Sequence, residues 1–328
     1  MPKFLAPKML AAAVGAAAMA FTTATPAQAT RDTPRYTSLT VFGDSLVDAG
    51  NIRALRLGAD PAQGYFQGRF TNGYDYTDRI SLALFGMVTT PSLGANMGGT
   101  NFAYGGARAS NTSGVPDFAE QIGLYRAYLA EGNAVDRNGL FVLNFGGNDV
   151  FNAPADAAAK AAFLQQAAKD YAGGLQTLLD LGARNVLLTG FPVLTDPASV
   201  AAEGYLTTEL AGLKLAGDAS LFRFSYLDFF TRVNTNPGSL GLDPLRTDIT
   251  CRGAGQVAID GGCQGIFSFD GTHPTAAVQD ALFRDIDRQF AITAAVPEPA
   301  AWGMMMLGLG VVGATLRRRR GVVRAVAA

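Results

Sequence analysis

The chain holds a single histidine, His273, so any imidazole chemistry must be done there. Asp270 stands three residues earlier, in the turn Phe269-Asp270-Gly271-Thr272-His273-Pro274 that Gly271 and Pro274 fix. At that spacing its carboxylate reaches the ring Nδ1–H and leaves Nε2 as an acceptor. A hydroxyl is a weak nucleophile at neutral pH until an adjacent imidazole takes its proton. The partner to look for is therefore a serine presented at the end of an element. Ser45 is such a residue: it follows the run 36–42 through Gly43-Asp44 and precedes Asp48-Ala49-Gly50-Asn51. Nucleophile, base and orienting acid together would perform acyl transfer. Taken singly, Ser45 reads as a helix cap and His273 as a structural ring.

The elements around these residues have to bring them together from opposite ends of the chain. Residues 36–42 mix β-branched and aromatic side chains and read as a buried strand; residues 48–57 have the cap and period of a helix. Ser45 then lies at the carboxyl end of a strand, the usual place for a site in an open α/β sheet. Helices are expected over 75–84, where Tyr76, Ile80 and Leu84 form a stripe, and over 117–130, 157–181 (stopped by Gly182), 198–215 and 276–290. Strands are expected at 140–145, 185–189 and 222–227, with Asp228 at the end of the last. The run 140–145 is apolar except for Asn144, which suits a strand buried on both faces. Alternation at these spacings argues a parallel, doubly wound sheet. Residues 64–73 are expected to be loop, and residues 234–267 are irregular over a length that marks either function or a missed element.

Four blocks, in order, carry a family likeness. Gly43-Asp44-Ser45-Leu46 with Asp48-Ala49-Gly50-Asn51 resembles the first block of the GDSL, or SGNH, hydrolases. It differs from the Gly-x-Ser-x-Gly elbow of the α/β-hydrolases. The paired glycines of Tyr104-Gly105-Gly106-Ala107 resemble the second block, Gly146-Gly147-Asn148-Asp149 the third, and Asp270-Gly271-Thr272-His273-Pro274 the last; Gly68-Arg69-Phe70-Thr71-Asn72-Gly73 is similar to a segment of the longer GDSL enzymes. The resemblance implies a three-layer α/β/α sandwich with a mainly parallel, flavodoxin-like sheet. It implies a catalytic triad of Ser45, His273 and Asp270. The oxyanion hole would comprise the Ser45 N–H, a glycine N–H (Gly106, with Gly105 the neighbouring choice) and the Asn148 side chain, with Asp149 bracing the loop. The activity it implies is hydrolysis of carboxylic esters (lipid, short acyl or acetylated-sugar) with no cofactor and no metal. Tyr65, Phe66, Phe70 and Tyr74 are candidates for an acyl groove or for core. Two other classes compete: a catalytically silent surface or matrix protein that binds polysaccharide, and a metal-dependent phosphoesterase built on Asp44, Asp149, Asp270 and His273.

The tails set the compartment. Lys3 and Lys8 lead an alanine-rich apolar run that ends in Ala27-Gln28-Ala29, the form of a secretory signal peptide over 1–29 for a signal peptidase to remove. At the other end Val296-Pro297-Glu298-Pro299, an apolar stretch 300–316 and Arg317-Arg318-Arg319-Arg320 resemble the PEP-CTERM sorting signal of Gram-negative bacteria, over 295–320 with a short tail 321–328. That resemblance implies an exosortase-type partner, passage through the inner membrane on a transient C-terminal helix, and a final place at the cell surface or outside the cell. About 17 apolar residues reach roughly 26 Å as helix, the short limit for a bilayer, and the arginines would stay in the cytoplasm. A permanent membrane anchor is the competing reading.

Residues 30–294 remain as one domain with 19 basic and 26 acidic residues, hence −7 against −1 for the whole chain. So acidic a domain is a poor nucleic-acid binder. Cys251 and Cys263 are the only cysteines; an oxidising compartment favours a disulfide between them over two free thiols or a zinc pair.

Overall fold

In the run of five residues from Leu39 to Gly43 every side chain is buried, and the same holds for Leu140 to Asn144, so both strands have lost water from both faces. A computed structural model describes residues 35–93, 99–111, 113–192, 197–253 and 262–294, all within one compact unit. The expected signal peptide, sorting segment and terminal tail lie outside the described residues. In chain order the elements are β1 (Leu39–Gly43), α1 (Asn51–Ala54), α2 (Tyr76–Phe85), α3 (Phe118–Ala130), β2 (Leu140–Asn144), α4 (Gly147–Phe151) and α5 (Ala157–Leu181). They continue with β3 (Asn185–Thr189), α6 (Pro197–Leu210), β4 (Ser220–Phe224), α7 (Tyr226–Thr235), β5 (Arg246–Thr250), β6 (Ile266–Ser268) and α8 (Ala276–Phe290).

The main sheet is parallel in the order β1-β2-β3-β4. Residues 100–104 extend it past β1: Val41 N donates to Thr100 O (2.9 Å), Phe102 N to Val41 O (2.7 Å) and Tyr104 N to Gly43 O (3.0 Å). After β1 the chain thus goes to one edge and then crosses to β2 on the other side, which makes the carboxyl ends of β1 and β2 the point where strand order reverses. Ligands bind at such a crevice in open α/β sheets.

Alternation within the strands builds two cores. Phe42, Phe141, Leu143, Val186 and Leu188 pack with α3, α5 and α6 on one face. Val41, Leu140, Val142, Leu187 and Phe224 pack with α2, α7 and α8 on the other. Successive side chains on a strand point to opposite faces, so a sheet covered by helices on both sides needs runs that are apolar at every position. The result is the α/β/α sandwich expected from the motifs.

Helices α5 and α8 and strand β3 have the expected bounds, and α2 gains a full capping box from Asp75 and Asp78. Four expectations need correction, the first being the helix expected over 198–215, which ends at Leu210. The helix after Ser45 is only Asn51–Ala54, because Asp48 receives the N–H groups of Gly50, Asn51 and Ile52 and starts it three residues late. The fourth strand ends at Phe224, and Ser225 caps a helix whose face of Tyr226, Phe229, Phe230 and Val233 is buried; Asp228 lies in its first turn. Within 234–267, β5 and β6 pair as a small parallel sheet.

Candidate active site

At the end of β1 the backbone is crowded: a Cβ on Gly43 would lie 2.5 Å from Val47 Cγ2 and 2.7 Å from Asn144 O. Only glycine passes there, and the chain turns directly after it. Asp44 N donates to Asn144 O (3.1 Å) and Val47 N to Asp44 O (3.2 Å). Asp44 Oδ1 accepts from Leu46 N and from Asn144 Nδ2, both at 3.0 Å. Ser45 stands at the crest of this turn, and among the described residues no group accepts its backbone N–H.

The other half comes from the turn between β6 and α8. Phe269 N donates to His273 O (2.7 Å) and Gly271 N to Ser268 Oγ (2.8 Å), closing the turn. Asp270 Oδ1 accepts from Thr272 N (3.0 Å) and His273 N (2.9 Å), while Oδ2 accepts from His273 Nδ1 (2.8 Å). Burial alone would raise the Asp270 carboxyl, but the hydrogen bond and charge of His273 and the two backbone N–H groups outweigh it and hold it well below the usual carboxylate range. Nδ1 then carries the ring proton, Nε2 is the acceptor, and Ser45 Oγ lies 2.8 Å from it. Residues 45, 270 and 273 are thereby joined in one hydrogen-bonded line across more than two hundred positions of sequence.

The glycine-rich segment 64–73 braces the histidine turn from behind. Thr71 Oγ1 donates to Pro274 O (2.8 Å), Asn72 Oδ1 accepts from Ala276 N (2.9 Å), and the Phe70 ring lies 5.0 Å from that of His273. Arg69 is anchored below by a buried pair with Asp78. None of Tyr65, Phe66, Phe70 and Tyr74 lines the cavity at Ser45; Tyr65 and Phe70 pack instead against the histidine turn, and Phe66 packs on Tyr74.

The two glycines differ in what their N–H groups do. Gly105 N donates to Asp48 Oδ2 (2.9 Å), so it is spent. Gly106 is exposed, has φ of 88°, and no described residue accepts its N–H. Asn148, at the start of α4, donates from Nδ2 to Ala107 O (2.9 Å), which ties it to this turn. Asp149 receives Ala109 N (2.9 Å), Ser110 N (3.1 Å) and Ser110 Oγ (2.6 Å), which ties α4 to the segment after the paired glycines. Asp149 is thus fully engaged, and among the described residues no three His, Cys, Asp or Glu side chains converge as a metal site requires.

Ser45, Asn148 and His273 share one cavity of about 570 Å³; Gly106 is not among its lining residues. Its far walls are Phe151 of α4, Phe230 and Val233 of α7, and Ile249 of β5. Both α7 and β5 were illegible in the sequence, and they form much of this site. Cys251 and Cys263 are bonded (Cα–Cα 5.5 Å), and Cys251 N donates to Ser268 O (2.9 Å), so the disulfide fastens the end of β5 beside the strand that leads to Asp270. Asn144 is the buried residue behind the Ser45 turn that sequence reasoning passed over. It is fully buried, accepts from Tyr226 Oη (2.6 Å), Tyr76 Oη (3.2 Å) and Thr189 Oγ1 (3.2 Å), and passes its own N–H to Asp44. A lone amide inside an apolar strand was its signal.

The GDSL-like Lipase/Acylhydrolase family model matches residues 39–286, and the PEP-CTERM protein-sorting motif matches residues 295–320. A GDSL esterase/lipase of Arabidopsis thaliana is 32% identical over 208 residues, covering 52% of this chain and 57% of the relative. The thermolabile hemolysin of Vibrio parahaemolyticus is 33% identical over 158 residues, 47% of this chain and 33% of that protein. Lipase 1 of Photorhabdus luminescens is 30% identical over 164 residues, 48% of this chain and 22% of the relative. The matches therefore span less than two thirds of the length of each of these relatives.

Proposed function

The chain belongs to the GDSL-like lipase/acylhydrolase family, and from that premise we propose that it is an exported carboxylic ester hydrolase with Ser45 as nucleophile, His273 as base and Asp270 as orienting acid. The observation that carries this is the line Asp270 Oδ2, His273 Nδ1, His273 Nε2, Ser45 Oγ, with 2.8 Å at each hydrogen bond. Ser45 Oγ attacks the ester carbonyl carbon while its proton passes to Nε2. The imidazolium is held by ionised Asp270. The tetrahedral oxyanion takes the N–H groups of Ser45 and Gly106 and an Nδ2 hydrogen of Asn148; removal of one such donor costs about 10²–10³ in turnover. Collapse expels the alcohol with the proton from Nε2. Water, deprotonated by the same nitrogen, then attacks the acyl-enzyme and releases the carboxylic acid.

The cavity supports neutral esters with an acyl chain of several carbons. Phe230, Val233 and Ile249 offer it apolar walls, and apart from His273 no basic side chain lines it among the described residues. Its exposed carboxylate, Asp248, disfavours anionic substrates. Burying each methylene is worth about 0.8 kcal/mol, so kcat/KM on p-nitrophenyl esters should climb from acetate towards hexanoate; a profile that falls from acetate onward would remove the acyl assignment.

The sorting motif supports export in a Gram-negative cell, with signal peptidase and an exosortase-type enzyme as partners and membrane contact through the C-terminal segment before processing. No helix among the described residues is long and apolar enough to cross a membrane, and the C-terminal segment lies outside them. The test of the chemistry is labelling with a fluorophosphonate. Ser45 should take the adduct, and Ser45→Ala should lose both adduct and ester turnover while folding normally; an unlabelled, folded wild type would favour a silent binding protein.

A further inference from the structure

Asp270 Oδ2 receives two donors. One is His273 Nδ1; the other is Tyr65 Oη, also at 2.8 Å, from the segment that braces the turn. The Tyr65 ring is gripped edge-on by Phe70 (5.7 Å between centroids) and Phe269 (5.2 Å), so its hydroxyl is delivered to the carboxylate by packing. That hydroxyl in turn accepts from Arg252 Nη1 (3.3 Å), whose guanidinium lies 5.2 Å from the Tyr65 ring centre. Arg252 is itself held: it follows Cys251 of the disulfide, and its N–H donates to Phe269 O (3.0 Å). Tyr65 does not line the substrate cavity.

We propose that Tyr65, backed by Arg252, is a positioning residue that fixes the rotation of Asp270 and sets how tightly that carboxylate holds the His273 imidazolium. This rests on the serine-hydrolase reading above. The physical ground is that a carboxylate oxygen shared between two donors has its charge dispersed and its lone pairs directed, so the ring partner is aligned but bound less strongly. Burial, then the hydrogen bond and charge of Asp270, push the Tyr65 phenol up to about 12, so it remains a donor throughout any practical assay range. Arg252 polarises the hydroxyl from an exposed position, and its share is screened by salt. The carboxyl groups that line the cavity with His273 are Asp44 and Asp248, while Asp270 and Tyr65 stand behind the ring and outside that lining.

The test is Tyr65→Phe, which removes one oxygen and keeps the packed ring. With p-nitrophenyl butyrate kcat should fall about tenfold, the order expected for a lost hydrogen bond to a charged group, with KM unchanged. The acid limb of kcat/KM should move to higher pH by roughly half a unit, because an under-solvated Asp270 favours the imidazolium more. Arg252→Met should move the limb in the same direction, less, and chiefly at low salt; in the Tyr65→Phe background it should add little. Wild-type kcat and limb in Tyr65→Phe would overturn the proposal, as would a loss of activity that follows a lowered melting temperature with the limb unmoved. Full additivity of the two substitutions would overturn the relay from Arg252. Fluorophosphonate labelling of the wild type separates the levels: no adduct on Ser45 removes the parent reading and this one together, whereas an adduct with an indifferent Tyr65→Phe removes this one alone.

Discussion

Asp44 is a carboxyl sealed beside the nucleophile, and replacing it with asparagine should make the protein more stable at alkaline pH. Its exposure is 2%, and burial above all, with a further push from the charge of Asp149, raises it to about 7 against the pull of the Leu46 N–H and Asn144. An unfolded aspartate titrates near 3.9. The folded state therefore keeps a proton between roughly pH 4 and 7 that the unfolded chain has released. The associated stability is complete below about pH 4 and is lost as pH rises through 7. Three units correspond to about 4 kcal/mol well above pH 7. Asparagine keeps both hydrogen bonds, because Leu46 N and Asn144 Nδ2 both donate to the same oxygen, Oδ1, while Oδ2 receives no donor from the described residues. Asp44→Asn should thus melt about 8 °C above wild type at pH 8, at roughly 2 °C per kcal/mol for a domain of this size, and only about 2 °C above it at pH 4.5. Differential scanning calorimetry of both proteins across that range isolates Asp44, since the other buried carboxyls are common to the pair. An equal gain at pH 4.5, or none at pH 8, would refute the assignment of a buried charge cost to this residue.

Asn144→Leu strips the acceptor from the Tyr76 and Tyr226 hydroxyls and the donor from Asp44; denaturant titration should show a loss of about 2–5 kcal/mol, and a loss under 1 would mean the phenols satisfy each other. Gly105→Ala sets a Cβ 2.4 Å from two Phe70 ring carbons, and Phe70 packs on His273. Its kcat should drop with the melting temperature little changed, and wild-type turnover would show that the ring yields freely. Replacing Cys251 and Cys263 by serine releases a twelve-residue link worth roughly 3 kcal/mol in the chain-entropy model. Ester activity should then vanish at a temperature where circular dichroism is still native; coincident loss of the two would show that the bridge stabilises the whole domain and not the turn that bears His273.

Local rules reached a long way into this chain. Four short blocks with fixed chemistry marked Ser45, Asn148, Asp270 and His273. The run 140–144, buried on both faces, announced a covered parallel sheet because it has no polar position apart from Asn144. Helices α5 and α8 were legible to the residue because their caps and periods are written in neighbouring positions. Tertiary structure alone decided the remainder. Whether Gly105 or Gly106 keeps a free N–H depends on Asp48, some sixty positions away, taking the first. The aromatic residues of 64–74 looked equally fit for groove or core, and only the approach of the histidine turn made Tyr65 and Phe70 its support. The cavity walls were hidden for a like reason: α7 reads as the tail of a strand until Ser225 caps it, and β5 has no apolar run because its partner is three-residue β6 in a small surface sheet. Sequence speaks of a residue's neighbours along the chain; a site assembled from positions 45, 148 and 273 is specified by contacts that exist only once the sheet has closed.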